Sequence, residues 1–201
     1  VLLEVRKPIE PELLREAISQ LALQHDALRL RFEQREDGWR QSYQGAEALP
    51  EFEYIDLADQ SAEQQRAAIE TVTAARQSSL DITNRPTARM VYFNLGKGRN
   101  DRLFIVIHHL FVDAVSWQVI FEDLQAILEQ LSEGRAVNLP PKTTSYKQWT
   151  EVLADYAQSE DLRKGSSYWL RQGWDSTAPL PLDHPWGENN EGSFERVTVE
   201  L

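Results

Sequence analysis

The chain has 201 residues, a length that indicates one domain or one large lobe of a larger assembly. Its 21 basic and 32 acidic side chains give a formal net charge of −11 at pH 7, with the histidines neutral. Nucleic acids and anionic membrane surfaces bind basic faces, so we expect neither as a partner. The absence of cysteine excludes disulfides, thiolate metal ligands and a cysteine nucleophile, and it fits a cytoplasmic protein.

Both ends of the sequence have the pattern of strands. The chain starts at Val1 and its single methionine is Met90, so no initiator residue is present. No signal peptide opens it, and no apolar run reaches the length of a bilayer span. Residues 1–5 predict a strand that is already in progress at the first residue, and the stretch from Phe194 to Leu201 predicts a strand that stops without a turn. These features indicate a piece of a longer polypeptide.

The first half of the chain mixes strand and helix patterns. A proline suits the first turn of a helix, where its missing N–H costs nothing, and an Asp-Gly pair is typical of a hairpin turn. A serine followed three residues later by glutamine forms a capping box, which begins a helix. In chain order these signals predict a strand over 1–5, a helix from Pro11, a strand in which Leu28, Leu30 and Phe32 alternate with arginines, a hairpin at Asp37-Gly38, a strand over 52–57 and a helix from Ser61 to about Gln77.

The second half begins with two apolar segments joined by a polar turn, which we expect to pair as a hairpin. A long amphipathic helix follows, and a glycine ends it. Strands and helices do not alternate strictly, so the pattern predicts an α/β or α+β sandwich whose sheet is not purely parallel. The predicted elements are strands over 90–95 and 103–108, a helix whose apolar stripe runs from Trp117 to Leu131 and which ends near Gly134, a helix over 146–158, a turn or helix over 166–172 and a linker-like loop over 180–193.

Two adjacent histidines follow the second strand of that hairpin, and an aspartate begins the next helix. Successive residues of a strand point to opposite sides, so one of His108 and His109 is expected in the interior while the other faces a cavity. A neutral imidazole is a common general base near neutral pH. Three roles are open to Asp113: capping the helix, fixing a histidine tautomer, or pairing with a buried arginine. The residues alone leave both a catalytic and a structural role of this cluster open.

Other candidate sites in the chain are weaker. A zinc ion bound by His109 and Asp113 would lack an evident third protein ligand. Ser116 lacks the Gly-x-Ser-x-Gly surroundings of a nucleophile, so we expect it to support the start of the helix. Helix capping or exposure to solvent is enough to explain the presence of His25 and His184.

The segment from His108 to Ala114 resembles the His-His-x-x-x-Asp-Gly signature of the condensation-domain superfamily of nonribosomal peptide synthetases. Further matches occur in family order along nearly the whole chain. The resemblance implies a chloramphenicol-acetyltransferase-like lobe, an α/β (α+β) sandwich with a mixed, largely antiparallel sheet flanked by helices. The further matching blocks are Gln24–Phe32, Leu80–Ile82 with Pro86 and Arg89, Tyr168-Trp169 and Leu180–Asp183.

The sequence differs from the family pattern at two positions, and the superfamily has two branches to which the chain can be compared. Ala114 replaces the usual glycine after the aspartate, and Arg85 replaces the glycine before Pro86. Alanine impairs the site if that position needs an unusual backbone conformation or a close approach of substrate.

The segments 113–124 and 139–149 are similar to epimerization domains, whereas condensation domains more often carry a Tyr-Ala-Asp-Tyr-Ala-like stretch there. The resemblance therefore favours an epimerization domain over a condensation domain.

Both branches act on a thioester carried by the phosphopantetheine arm of a carrier protein, so the resemblance implies no metal and no cofactor bound by this lobe. His109 matches the residue that acts as acid or base, or that stabilises the enolate oxygen. In condensation it would orient or deprotonate the attacking amine, or stabilise the tetrahedral intermediate. His108 and Asp113 are expected to support the site. We expect Asp113 to pair with Arg31, and Ser116 to support the same region.

Complete family members have two lobes with the active site between them, and 1–201 matches the N-terminal lobe. The partners that the resemblance implies are a peptidyl or acyl carrier protein, the second lobe and adjacent synthetase domains. The isolated lobe is then expected to fold with little or no turnover, because a glutamate of the second lobe is the other acid/base group. A non-catalytic docking lobe for carrier proteins and a stand-alone acyltransferase for coenzyme A thioesters remain as alternatives.

Overall fold

A computed structural model describes residues 1–45, 49–84, 86–188 and 190–199. The chain divides into two compact units, Val1–Tyr146 and Lys147–Leu201. Four residues on which predictions were made lie outside the described residues: Arg85 of the resemblance, Asn189 of the predicted loop, and Glu200 and Leu201 of the last predicted strand.

The first unit contains six strands and three long helices among its described residues. Its elements in chain order are β1 (Leu2–Val5), α1 (Pro11–Gln24), a 3-10 turn at Asp26–Arg29, β2 (Leu30–Arg35), β3 (Gly38–Tyr43), β4 (Glu51–Asp56), α2 (Ala62–Ser78), β5 (Ala88–Asn94), β6 (Asp101–Ile107) and α3 (Ala114–Ser132).

Four of these strands form a mixed sheet in the order β1-β6-β5-β4. β6 is antiparallel to both of its neighbours, with Leu2 opposite Phe104 on one side and Val91 opposite Phe104 on the other. β4 runs parallel to β5 and thus makes the sheet mixed. β2 and β3 form a separate hairpin. The predicted hairpin of the two central strands and the largely antiparallel sheet are therefore confirmed.

Helices cover both faces of the sheet, and the period of two along β5 explains why. Met90 and Tyr92 belong to the cluster that α1 and α3 cover, whereas Val91 and Phe93 belong to the cluster that α2 covers. All four side chains are at most 2% exposed. Burying a large apolar side chain contributes about 1.5–3 kcal/mol, so the two clusters hold the three layers together.

Local signals place several of these elements where they were predicted. Pro11 is at the start of α1, and at the start of α2 both bonds of the predicted capping box are present between Ser61 and Gln64. Gly38 has a φ of +123°, a left-handed conformation that glycine adopts without strain, in the β2–β3 hairpin. The predicted strand was wrong for Leu28, which lies in the 3-10 turn before β2 and not in the strand.

The second unit contains α4 (Tyr146–Ala157), which begins at the last residue of the first unit, and α5 (Glu160–Leu170). α5 begins earlier than the predicted 166–172, because the Ser159 side chain accepts a hydrogen bond from Leu162 N–H and caps it. The predicted strand from Phe194 is wrong over 194–199, where no strand forms. A strand needs a partner for its backbone groups, and no described residue pairs with this segment.

Residues 180–188 contain no helix or strand, as expected of a loop, and a short 3-10 turn follows at Glu191–Ser193. Among the described helices, none combines the length and the apolar character needed to cross a bilayer.

Candidate functional site

The two histidines stand directly after β6, where the sheet ends and α3 is about to begin. The backbone N–H of His108 donates to the carbonyl of Thr87 at 2.9 Å, which extends the pairing with the neighbouring chain segment by one residue beyond the strand. His108 is half-buried and His109 is exposed. The predicted difference between the two side chains in burial is therefore present.

The imidazole of His108 takes part in the packing of the first unit. Its Nδ1 accepts a long hydrogen bond, 3.3 Å, from the backbone N–H of Leu110. An accepting Nδ1 carries no proton, so the proton of the neutral ring lies on Nε2. The ring packs edge-to-face on Phe111 at 6.0 Å, and Phe111 packs likewise on Phe32 at 5.6 Å. His108 thereby fixes the backbone that carries His109.

His109 has a different environment. Its side chain is exposed, and none of the described residues forms a hydrogen bond or an ion pair with it. The imidazole can therefore accept or donate a proton at a ligand without first losing a protein contact. It lies on the two-residue turn that follows His108, so its backbone is tied to a rigid strand end.

Asp113 is the N-cap of α3. Its carboxylate accepts hydrogen bonds from the backbone N–H of Ser116 at 2.8 Å and from the Ser116 hydroxyl at 2.6 Å. Because hydrogen bonds from the Ser116 hydroxyl and N–H favour the charged form, the pKa of Asp113 is lowered. Of the three roles open to Asp113 from sequence, the structure shows the capping role, and Ser116 supports the helix start as expected.

The predicted ion pair between Asp113 and Arg31 is wrong. No such pair occurs among the described residues, and the Nε of Arg31 donates instead to the carbonyl of Thr83 at 3.0 Å. That carbonyl belongs to a turn held by Asp81, which accepts from the Thr83 hydroxyl at 2.6 Å and from the Asn84 side chain at 3.0 Å. Hydrogen bonds from Thr83 and Asn84 lower the pKa of Asp81. The structure thus places Arg31 against the 81–84 turn and not against the start of α3.

A cavity of about 260 Å³ lies beside the start of α3. Asp113 and Ser116 line it together with His25 and apolar side chains of α3, whereas His109 is not among its lining residues. A second cavity of about 440 Å³ lies against the segment 140–146, and His25 lines this one too. Asp113, Ser116 and His25 thus line the same cavity, although the sequence indicated no functional role for His25.

His25 is held by Asp123 of α3, with Nε2 and the carboxylate oxygen 2.7 Å apart. The sequence carries a signal for this contact that was missed. Asp123 lies on the apolar stripe of α3, beside the buried Leu124 and three residues after the buried Ile120. A carboxylate at such a position costs free energy unless it has a polar partner, so a partner on a facing element was to be expected.

Two further features of the site concern Ala114 and the candidate zinc ligands. Ala114 is the first residue of α3 and has helical geometry, so this position does not need the conformational freedom of glycine. Within the described part of the chain, no three His, Asp or Glu side chains are close enough together to hold a metal ion. The carboxylate of Asp113, one of the two candidate zinc ligands, is bonded to Ser116.

The sequence profile of the Condensation domain family matches residues 1–201, and the chain belongs to this family. Linear gramicidin synthase subunits B and C of Brevibacillus parabrevis are 43% and 45% identical over the whole chain. Chondramide synthase cmdD of Chondromyces crocatus is 38% identical, also over the whole chain. The chain spans only 4%, 3% and 5% of the lengths of these three relatives.

Two solved structures place the fold. The epimerization domain from the third module of tyrocidine synthetase B is 32% identical, with a TM-score of 0.83 over 91% of this chain and 41% of that one. The starter condensation domain of rhizomide synthetase is 24% identical, with a TM-score of 0.72 over 86% of this chain and 41% of that one. The expected chloramphenicol-acetyltransferase-like α/β sandwich is confirmed, and the chain is part of a condensation-type domain of a nonribosomal peptide synthetase.

Proposed function

We propose that this chain is the N-terminal lobe of an epimerization domain. The domain converts an L- to a D-aminoacyl or peptidyl residue that a carrier protein holds as a thioester on its phosphopantetheine arm. The lobe contributes only side chains, because the phosphopantetheine arrives with the carrier protein. Its other partners are a second lobe of the same domain and the adjacent synthetase domains.

The observation that carries this proposal is the state of His109. It is an exposed imidazole without a hydrogen-bond partner among the described residues, on a backbone that follows strand β6 directly. His108 supports that backbone from the interior, and Asp113 fixes the start of α3 four residues later. Proton transfer to or from a substrate requires an imidazole without a competing protein partner, and here the backbone that carries it is held at a strand end.

The comparison with solved structures supports epimerization over condensation. Identity to the tyrocidine synthetase epimerization domain is 32%, against 24% for the rhizomide starter condensation domain. The TM-score is also higher for the epimerization domain, at 0.83 against 0.72.

The reaction moves one proton and leaves the composition of the thioester unchanged. A base removes the hydrogen on the α-carbon, and the electron pair of that C–H bond moves toward the thioester carbonyl, which becomes an enolate. A proton is then delivered to the opposite face of the α-carbon. His109 serves one of these proton transfers or donates a hydrogen bond to the enolate oxygen. The second acid/base group belongs to the other lobe.

The test uses the complete two-lobed domain with its carrier protein loaded with an L-aminoacyl or peptidyl thioester. In heavy water, each turnover replaces the α-hydrogen by deuterium, which mass spectrometry detects. We expect His109→Ala to slow the uptake by about 10²–10⁴-fold, the usual contribution of a positioned acid or base. His184→Ala is the matched control, since it removes another exposed imidazole far along the chain and should leave the uptake unchanged.

Uptake that persists in His109→Ala at the rate of the control would contradict the role of His109. A condensation domain is the second candidate, because the match to the Condensation domain family is compatible with either activity. In that case no deuterium enters, but an amide forms once an aminoacyl acceptor thioester is supplied, and His109→Ala slows that step. Binding of the carrier protein without either reaction would indicate a docking lobe.

A further inference from the structure

The cavity of about 260 Å³ beside the start of α3 has a mostly apolar wall. Three of its lining side chains are buried in the core and form a fixed floor: Leu28, Phe111 and Ile120. Val115 and Val119 of α3 are 73% and 44% exposed, so they form the edge at which the cavity opens to solvent. Every described lining residue belongs to the first unit, so the cavity does not depend on where the second unit lies.

The polar groups that line this cavity are already bonded within the protein. The Nε2 atom of His25 lies 2.7 Å from a carboxylate oxygen of Asp123. The Asp113 carboxylate accepts hydrogen bonds from the backbone N–H and the hydroxyl of Ser116, at 2.8 and 2.6 Å. A polar ligand group would compete with these bonds or enter without a partner, and either costs free energy. An apolar group bears neither cost, so the cavity suits an apolar ligand.

The charge at the wall also selects among ligands. Asp113 lines the cavity, and the hydrogen bonds from Ser116 lower its pKa, so its carboxylate is negative at neutral pH. Among the lining residues that the structure describes, none is a lysine or an arginine. A negatively charged ligand group would therefore meet a like charge and find no cation. A positively charged group would lose its water against the apolar floor.

The cavity lies close to His109 along the chain, although His109 does not line it. Phe111 and Asp113, which do line it, follow His109 by two and four residues. Two residues of chain span at most about 7 Å, so the Phe111 backbone lies within that distance of the His109 backbone. A residue whose α-carbon lies at the His109 imidazole can therefore direct its side chain into the cavity.

We propose that this cavity receives the side chain of the thioester-bound residue and selects an uncharged, apolar side chain of the size of leucine or phenylalanine. An apolar cavity of about 150 Å³ holds benzene, so the 260 Å³ present here accommodate a phenyl group together with its methylene. The inference rests on the proposed function insofar as that function brings the α-carbon of the substrate to His109.

Competition between loaded carrier proteins tests this selectivity in the complete two-lobed domain. Carrier proteins that bear L-leucyl, L-phenylalanyl, L-alanyl, L-lysyl and L-glutamyl thioesters are mixed in equal amounts and incubated together in heavy water. Because the substrates compete for one site, the initial rates of deuterium uptake at their α-carbons give the ratios of kcat/KM. We expect leucine and phenylalanine to exceed the other three by about tenfold or more, since one methylene in an apolar pocket is worth about tenfold or more.

Two substitutions in the wall should shift this preference in opposite directions. Val119→Phe reduces the space and should lower the ratio of leucine to alanine about tenfold, without slowing uptake on alanine. Ile120→Val removes one methyl group from the floor and should raise the ratio of phenylalanine to leucine. Gln118→Phe is the matched control, because Gln118 is the neighbouring exposed residue of α3 and does not line the cavity. It should leave both ratios unchanged. If Val119→Phe fails to fold, the milder Ile120→Val still tests the cavity.

Three results would overturn the proposal. Equal rates for all loaded residues in the wild type would mean that the cavity takes no part in selection. A preference for glutamate or lysine would mean that a charged group enters it. Unchanged ratios in the two wall variants, including a slowing of all substrates alike, would assign the cavity to a part that all substrates share or to the support of α3.

These outcomes are separable from the outcome for the proposed reaction. Deuterium uptake without selectivity contradicts the side-chain cavity and leaves epimerization standing. If no deuterium enters but an amide forms with an acceptor thioester, the same competition is measured on the amide products. Selectivity there would retain the cavity and contradict epimerization. The absence of both reactions would overturn both proposals.

Discussion

His25 Nε2 lies 2.7 Å from a carboxylate oxygen of Asp123, and this contact connects the end of α1 to α3 across 98 positions of sequence. His25 is the C-cap of α1, and its backbone N–H donates to Leu21. The two side chains are 23% and 15% exposed, so water screens the contact only in part. Because α3 begins directly after the histidine turn, the contact helps to fix the helix that Asp113 caps.

This contact should be measurable as a coupling energy. We expect His25→Ala and Asp123→Ala each to destabilise the chain, because each leaves a partly buried polar group without its partner. In a double-mutant cycle the coupling should be about 1 kcal/mol, measured from urea unfolding at neutral pH. The pair Gln125 and Glu129 on the exposed side of α3 provides the control, with an expected coupling close to zero. Additive effects of His25→Ala and Asp123→Ala would show that the two side chains do not interact.

Asp113 allows its capping role to be separated from its charge. Asparagine caps a helix about as well as aspartate does, whereas alanine does not. We expect Asp113→Asn to retain most of the stability and Asp113→Ala to lower the melting temperature by about 2–4 °C. If activity follows the same order, capping is the contribution of this residue to the site. Loss of activity in Asp113→Asn with unchanged melting temperature would instead indicate a need for the negative charge.

The pKa of Asp113 adds a dependence on pH. Since the Ser116 hydrogen bonds lower this pKa in the folded state, the carboxylate stabilises the fold at pH values above the ordinary aspartate pKa. That contribution is lost as the pH falls through the lowered pKa. Asp113→Asn has no such titration. On acidification from pH 5 to pH 2, the melting temperature of the wild-type chain should therefore fall by more than that of Asp113→Asn. Equal falls of the two melting temperatures would contradict this role of the Asp113 carboxylate.

Tyr92 offers a test of the sheet that supports the histidine turn. Its hydroxyl donates to Asp101 at 2.7 Å and accepts from Ile9 N–H at 3.0 Å, and the side chain is 2% exposed. Tyr92→Phe removes both bonds and should cost about 1–3 kcal/mol in the free energy of unfolding. Tyr43→Phe is the control, because Tyr43 is 43% exposed at the end of β3. Equal effects of the two substitutions would contradict a role for the buried hydrogen bonds.

Tyr92 should also be the last tyrosine to ionise. Burial, followed by its hydrogen bond to Asp101, raises the pKa of Tyr92. A pKa raised in the folded state means that the stabilisation is present below the ordinary tyrosine pKa and is lost as the pH rises through the raised value. Spectroscopic titration of tyrosinate should therefore show one group in the wild type that ionises only with alkaline unfolding, and this group should be missing in Tyr92→Phe.

Local signals in the sequence predicted the local structure well. The capping box at Ser61 and Gln64 and the Asp113 cap are formed by groups three residues apart, so the sequence contains both partners. The difference in burial between His108 and His109 was also expected, although β6 ends at Ile107 and His109 lies on the turn that follows. Such features depend on one or two turns of chain and not on how distant elements pack.

Contacts between distant elements could not be predicted in the same way. Arg31 was expected at Asp113, but its guanidinium donates to the carbonyl of Thr83, and the orientation of the β2–β3 hairpin decides where this side chain lies. The His25–Asp123 contact depends on the packing of α1 against α3. The strand predicted from Phe194 was wrong for the same reason. An alternating pattern gives a segment the propensity to form a strand, but it does not show which strand would pair with it.

The alanine at position 114 supports the last prediction. Because Ala114 is the first helical residue of α3 and is exposed, its methyl group needs no special backbone conformation. Restoring the glycine of the family signature should therefore bring no gain: Ala114→Gly should lower the free energy of unfolding by up to about 1 kcal/mol, the difference in helix propensity, and leave turnover of the complete domain unchanged. Urea unfolding and the deuterium-uptake assay check the two parts. A severalfold rise in turnover would mean that the methyl group obstructs the substrate, and the change to alanine would then be a cause of reduced activity.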